Sequence, residues 1–151
     1  WFASKEQFGV ELLRYFGGKA MSYTRNWLGK REALPNAFER IVAYYEARLS
    51  MALEKDCQQA CLVCKLTAEV SSWSDSMRAE VSRSYEQTLA LMEEVIAEGQ
   101  TQRTIRAGMS PAHAACILHD VWLGAYLRAT TKHQVQPLRE ALQFVKSYLA
   151  P

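Results

Sequence analysis

Apolar residues return every three or four positions along this chain, from Phe8 to Leu149, and nowhere alternate with polar ones in steps of two. Spacings of three and four place side chains on one face of an α-helix, whereas steps of two would mark a half-buried strand. Clusters of β-branched residues are rare as well. The periodicity therefore predicts an all-α fold. Ser4 can cap a first helix carrying Phe8, Leu12, Tyr15, Phe16, Ala20, Tyr23 and Trp27. Gly17 and Gly18 lie inside it, each costing about 1 kcal/mol relative to alanine, which predicts a kink or a close neighbour there. Asn36 and Glu39 have capping-box spacing before a second helix with Phe38, Ile41, Val42, Tyr45, Leu49 and Leu53. A short helix with Leu62, Leu66 and Val70 is expected next. Ser74 then caps a long helix carrying Met77, Val81, Tyr85, Thr88, Met92 and Val95 and expected to stop at Gly99, before the loop GQTQRTIRAG. Ser110-Pro111 combines a capping hydroxyl with proline at the first helical position. Pro137 begins a last helix.

The last two helices limit the assembly. Ala114, Ile117, Leu118, Val121, Trp122, Ala125, Tyr126 and Leu127 cover most of one circumference, and Leu138, Ala141, Leu142, Phe144, Val145, Tyr148 and Leu149 form a wide stripe on the other. A helix that is apolar all round is buried on more than one side. In a small chain one of those sides predicts a subunit interface, here a two-fold four-helix bundle made by Ile117, Val121, Tyr126, Leu138, Phe144 and Tyr148. A homodimer is the expected state.

The totals exclude several classes. One hundred and fifty-one residues make one domain with room for a core, and 49% hydrophobic with 23% charged residues is globular composition. A net charge of +2 is too small to argue nucleic-acid or membrane binding by electrostatics alone. The greasiest run, AACILHDVWLGAYL, is broken by His119 and Asp120 and is too short to cross a bilayer. No basic region and apolar leader follow Trp1, and a start without methionine reads as a fragment. Four cysteines, three of them clustered, do not resemble a secreted disulfide framework, so a reducing cytoplasm is expected.

Those three cysteines are the main chemical feature. Cys57, Cys61 and Cys64 stand in a C-x3-C-x2-C spacing with Lys65 beside the last. This spacing can hold an iron–sulfur cluster with one open iron, but such sites are found on strand-rich barrels and no strand pattern is present. Zinc needs a fourth ligand, and His113, His119 and His133 lack ligand spacing to the cysteines. A redox or electrophile switch has a physical basis. The thiolate is the reactive form, and helix N-termini and nearby cations stabilise it. Cys61 stands near the expected start of the short helix, with Lys65 four residues on. Cys61 and Cys64 form a C-x-x-C pair, and a sulfenic acid on Cys61 can condense with Cys64, or with Cys57, to a disulfide. The plainer reading stays open: free cysteine is among the most buried residue types and usually only packs. Cys116 reads as core.

Trp27, Tyr44, Tyr45, Trp73, Met77, Tyr85, Met92 and Trp122 can line an effector cavity between helices, or simply fill a helical core. His119-Asp120 on an apolar helix calls for hydrogen-bond partners that the sequence does not name. There is no Ser-His-Asp order, paired-carboxylate motif, phosphate loop or metal-binding helix motif, so neither an enzyme nor a resident cofactor is expected.

Several stretches resemble a known family. WFASKEQFG is similar to the junction that follows the recognition helix in TetR-family transcriptional repressors, where an aromatic pair ends the helix-turn-helix and SKE opens a connecting helix. ACLVCKLTAEVSSWSDSMR and WLGAYLRA resemble segments of one branch, the electrophile- and bleach-responsive repressors of the N-ethylmaleimide reductase type. The resemblance implies that residues 1–3 end an N-terminal DNA-binding domain and that residues 4–151 are the effector-binding and dimerisation domain. It implies operator DNA as partner of the missing domain, and a small molecule or electrophile as effector. Lys5 matches a position that contacts DNA phosphate, although a solvated surface lysine reads equally well there. Cys61 falls on the position of the branch's sensing cysteine. The lysine that closes a covalent link to that sulfur is replaced here by Thr130, with Arg128 and Lys132 nearby.

Overall fold

A computed structural model of the protein describes residues 3–54, 69–70 and 74–151. Among these residues there are five long helices and no strand: α1 (Lys5–Leu28), α2 (Ala37–Glu54), α3 (Asp75–Thr101), α4 (Pro111–Lys132) and α5 (Gln136–Leu149). The all-α expectation holds. No described helix is long and apolar enough to cross a membrane.

Local chemistry sets the helix starts. Ser4 is extended and its hydroxyl accepts from the Gln7 amide at 3.0 Å, while the Gln7 side chain accepts from the Ala3 amide at 2.7 Å. Asn36 accepts from the Glu39 amide at 3.3 Å, Ser74 from that of Met77 at 3.2 Å and Ser110 from that of His113 at 3.3 Å. Each such cap satisfies an amide that the helix itself leaves without a partner, worth about 1 kcal/mol. Pro137 stands second in α5 rather than first, and Val135 precedes that helix without a side-chain cap.

One expectation needs correction, and the close neighbour expected at the paired glycines of α1 is found at Gly17. Helix α3 runs past Gly99 to Thr101. Gly99 is there for packing: a β-carbon on it would come 2.4 Å from Cδ1 of Ile105, which folds back into the core. The Gly99 carbonyl accepts from the Thr104 and Ile105 amides and fastens that return. Helix α1 is continuous through Gly17 and Gly18. Gly17 lets α3 approach, since its β-carbon would meet the Ser84 hydroxyl at 3.0 Å, whereas Gly18 faces open space.

The contacts give the topology. Helices α1 and α3 run parallel, because Gly9 meets Met77, Gly17 meets Ser84 and Arg31, just past α1, reaches Glu98 at 3.0 Å. Helix α2 runs against both: Tyr44 approaches Thr24, and Arg40 near its start lies 2.7 Å from Glu98 near the end of α3. Helices α4 and α5 form an antiparallel hairpin, tied by Arg128–Glu140 at 3.5 Å, and α5 lies on α2 through Lys146–Glu46 at 2.8 Å. Arg106 closes the far end. Its amide and its guanidinium donate to the Leu149, Ser147 and Ala150 carbonyls at the C-terminus of α5, where a cation also suits the helix dipole.

Two apolar clusters result. The large one takes in Leu28, Ile41, Tyr44, Tyr45, Met92, Val95, Ile96, Leu118, Trp122, Leu138, Val145 and Leu149. The small one consists of Leu13, Val70 and Val81, with Met77 and Tyr85 packed against it.

Candidate functional site

Cys57, Cys61, Cys64, Lys65 and Trp73 lie outside the described residues. What can be described is where their segment returns to the fold. Val70 is fully buried between Leu13 of α1 and Val81 of α3. Ser74 then caps α3, and the same hydroxyl donates to Oε1 of Glu6 in the first turn of α1. Further along α3, Glu80 pairs with Arg83 on its own helix and reaches Arg14 of α1 at 3.6 Å. The hydrogen bond from Arg83 is the main cause that holds the Glu80 carboxyl below its ordinary range. The segment bearing the cysteines thus re-enters beside the N-terminus of α1. Lys5, the first residue of that helix, is exposed.

An aromatic column stands in the large cluster. Ring centroids follow one another from Tyr23 to Tyr44 at 6.2 Å, Tyr44 to Tyr45 at 5.0 Å and Tyr45 to Trp122 at 4.8 Å, with Trp27 6.5 Å to the side of Tyr23. Such separations suit edge-to-face and offset packing. Arg48 is set among the rings. Its Nη1 donates to the Tyr44 hydroxyl at 3.0 Å, and its guanidinium carbon lies 5.4 Å from the Tyr44 centroid and 5.3 Å from that of Trp122. Thr24, also buried, places its hydroxyl 3.4 Å from the same Tyr44 oxygen. Burial pushes the Tyr23 and Tyr45 phenols above their ordinary range. His119 packs edge-on to Tyr85 at 5.1 Å, with Nδ1 3.6 Å from the exposed Asp120 carboxylate. Burial, and next the Arg48 charge, lower its pKa although Asp120 acts the other way.

The seven cavity candidates among the described residues are therefore divided. Trp27, Tyr44, Tyr45, Met92 and Trp122 share the large cluster; Met77 and Tyr85 belong beside the small one. The reason is length: fifteen residues of α3 separate Met77 from Met92, roughly 22 Å at 1.5 Å per residue. Sequence reasoning passed over Tyr23, Thr24 and Arg48. The signal for Arg48 was its position four residues after Tyr44, hidden because a charged residue on a helix usually faces water.

The outer face of the α4–α5 hairpin carries a groove of about 380 Å³. Val121, Gly124, Ala125, Pro137, Ala141 and Phe144 form its floor, with Asp120, Arg128 and Glu140 around it. Ile117, Val121, Tyr126, Phe144 and Tyr148 are half-buried, and Phe144 stacks on Tyr148 at 5.2 Å. Leu138 is a correction: it is wholly enclosed within the protomer and has no surface to offer a partner. Cys116, expected in the core, is exposed, because the buried face of α4 passes through Ala114, Ala115 and Leu118 instead. Thr130 donates to the Tyr126 carbonyl at 2.9 Å. Among the described residues no group of histidines, cysteines and carboxylates is placed to hold a metal ion.

Residues 37–145 match the family described as "Tetracyclin repressor-like, C-terminal domain". The chain is 32% identical over 151 residues to the HTH-type transcriptional repressor NemR of Escherichia coli K12, spanning 99% of this chain and 74% of that protein. It is 31% identical over 150 residues to the HTH-type transcriptional repressor DhaR of a Mycobacterium species (strain GP1), spanning 99% and 73%. The crystal structure of reduced E. coli NemR superimposes with a TM-score of 0.85 at 30% identity, covering 99% of this chain and 77% of that one. A regulatory protein TetR from Rhodobacter sphaeroides shares the fold, with a TM-score of 0.91 at 19% identity over 99% and 78% of the two chains. These relatives are named as regulators. The chain belongs to the tetracyclin repressor-like family, as a C-terminal domain of the NemR type.

Proposed function

We propose that this chain is the effector-sensing and dimerisation part of a transcriptional repressor, which an N-terminal helix-turn-helix domain ending at residues 1–3 ties to operator DNA. The groove between α4 and α5 is where a second copy would pack, making a two-fold four-helix bundle. Lys5, at the start of α1, would face DNA phosphate. The release signal is covalent. The Cys61 thiolate adds to an electrophile, or is oxidised by hypochlorite to a sulfenic acid with chloride leaving. The sulfenic acid then condenses with the Cys64 thiol, giving a disulfide and water.

The observation that carries this reading is the hydrogen bond from Ser74 to Glu6. It fastens the start of α1 to the residue at which the cysteine-bearing segment ends. A change in that segment can thus tilt α1 without crossing the large core. Modification releases DNA only if it disfavours the DNA-competent state, so the coupling must lie in such a contact.

The purified chain should sediment as a dimer at micromolar concentration. Intact mass after limiting maleimide should show one adduct, mapped to Cys61. In cells, a Cys61→Ser repressor that still releases its operator under hypochlorite would rule out covalent sensing.

A second reading is non-covalent sensing at the aromatic column, with Cys61 as part of a wall. Two enclosed polar atoms there, the Tyr23 hydroxyl and the Trp122 indole nitrogen, have no hydrogen-bond partner and favour it.

A further inference from the structure

We propose that the two-fold axis of the dimer passes beside Gly124, where α4 packs antiparallel on α4 of a second copy and Asp120 pairs with Arg128 of the partner subunit. The inference rests on the dimeric reading and fixes its register.

Gly124 lines the groove and is exposed near the middle of α4. Glycine inside a helix is unfavourable relative to alanine, so its use there needs a reason. Gly9, Gly17 and Gly99 have one within the protomer, since a β-carbon on them would meet Met77, Ser84 or Ile105. A β-carbon on Gly124 would meet nothing within 4 Å. Bare backbone beside a groove lets a second helix come close. Gly18 is equally open, so the vacancy alone decides nothing; the side chains around Gly124 do.

Asp120 also lines the groove, with its side chain 79% exposed. Among the described residues its carboxylate pairs with His119 alone, Nδ1 lying 3.6 Å away, and burial lowers the pKa of that imidazole. Three and four places away on the helix stand Cys116, Ile117, Leu123 and Gly124, none of them basic. Arg128 is eight residues on, about 12 Å along the helix axis. It lies 3.5 Å from Glu140, and both of those side chains are exposed.

A two-fold axis supplies the cation. In an antiparallel contact centred on Gly124, a residue some places before it comes level with the residue of the partner as many places after it. Four places give Asp120 and Arg128 of the partner subunit; three give Val121 and the partner's Leu127. Isologous symmetry forms each pair twice. One pair joins opposite charges and the other joins apolar side chains. Leu127 is 45% exposed in the protomer and would gain cover. A contact centred one turn earlier would set Asp120 against Asp120 of the partner subunit. One turn later it would set Arg128 against Arg128 of the partner subunit. Both oppose like charges, which is costly in an interface.

Sedimentation equilibrium of the purified chain tests the register. Asp120→Arg and Arg128→Asp should each raise the dimer dissociation constant at least tenfold, because like charges then meet at both symmetric sites. The variant carrying both changes should dimerise at least fivefold tighter than either single one. Gly124→Leu should raise the constant at least a hundredfold, with helical content by circular dichroism unchanged. It carries the test should a charge variant fail to fold. Wild-type affinity in the folded single variants overturns the proposal, and so does a double variant no tighter than they are. In both cases a dimeric wild type leaves the dimeric reading standing. A wild-type chain that is monomeric at micromolar concentration removes that reading and this register together.

Discussion

Helices α1 and α3 lie side by side along their length, but their two ends are held differently. Toward their C-termini they are enclosed by α2, α4 and α5 in the large cluster, with Arg40 and Arg31 converging on Glu98. Toward their N-termini the described residues they share are Leu13, Val70 and Val81 with Met77 and Tyr85 against them, polar contacts at the surface, and the close approach at Gly9 and Gly17. Free energies of local opening follow the number of buried apolar contacts. By the contacts of the described residues, the same pair of rods is anchored at one end and easier to displace at the other. The easily displaced end is the one that the cysteine-bearing segment adjoins.

The contrast can be broken at its strong end first. Trp122→Ala removes the largest enclosed side chain of the big cluster and should cost about 3–5 kcal/mol in denaturant unfolding. Glu98→Gln takes the carboxylate from a fully enclosed guanidinium and should cost about 3 kcal/mol. The hydrogen bond from Arg40 is the chief cause that lowers the Glu98 pKa. Its contribution is therefore complete above the ordinary carboxylate value of about 4.5, and is lost as pH falls through the lowered one. The wild-type protein should lose stability across that acid window, and the glutamine variant should lose less.

The weak end should respond less in stability and more in coupling. Leu13→Ala should cost about 2 kcal/mol, and hydrogen exchange should show faster opening in the first half of α1 with the second half unchanged. Exchange that rises equally in both halves would make the two clusters one cooperative unit. Glu6→Gln, at an exposed site, should hardly alter the melting temperature. It should nevertheless blunt operator release by oxidants, since the Ser74 hydroxyl would lose its charged acceptor. The smallest effect belongs to the loop. Arg103 has φ of 60°, so Arg103→Gly should raise stability by a few tenths to about 1 kcal/mol.

Much of the secondary structure was legible before any coordinates. The four capping residues Ser4, Asn36, Ser74 and Ser110 were all identified, because a cap is decided within four residues of chain. Gly99 misled, because its reason is a contact with Ile105 that helix propensity does not contain. Leu138 misled in a related way: an apolar stripe wide enough to face two neighbours does not say which of its residues face the protomer's own core. The candidate site was half legible. Tyr44, Tyr45 and Trp122 were on the list as aromatics, whereas Arg48 joins them only because the bundle folds around its guanidinium.

By itself the sequence determined what short-range physics decides: the five described helices to within a few residues of their bounds, four of their caps, and the apolar faces that must meet. It also carried the family resemblance, since motifs such as WFASKEQFG are contiguous. Tertiary structure alone decided which distant residues touch. Glu6 and Ser74 are 68 residues apart, and only the parallel packing of α1 against α3 makes one the acceptor of the other. The enclosure that leaves the Trp122 N–H without a partner is likewise created when α2 and α4 close together, because burial belongs to the assembled bundle and not to any segment of it.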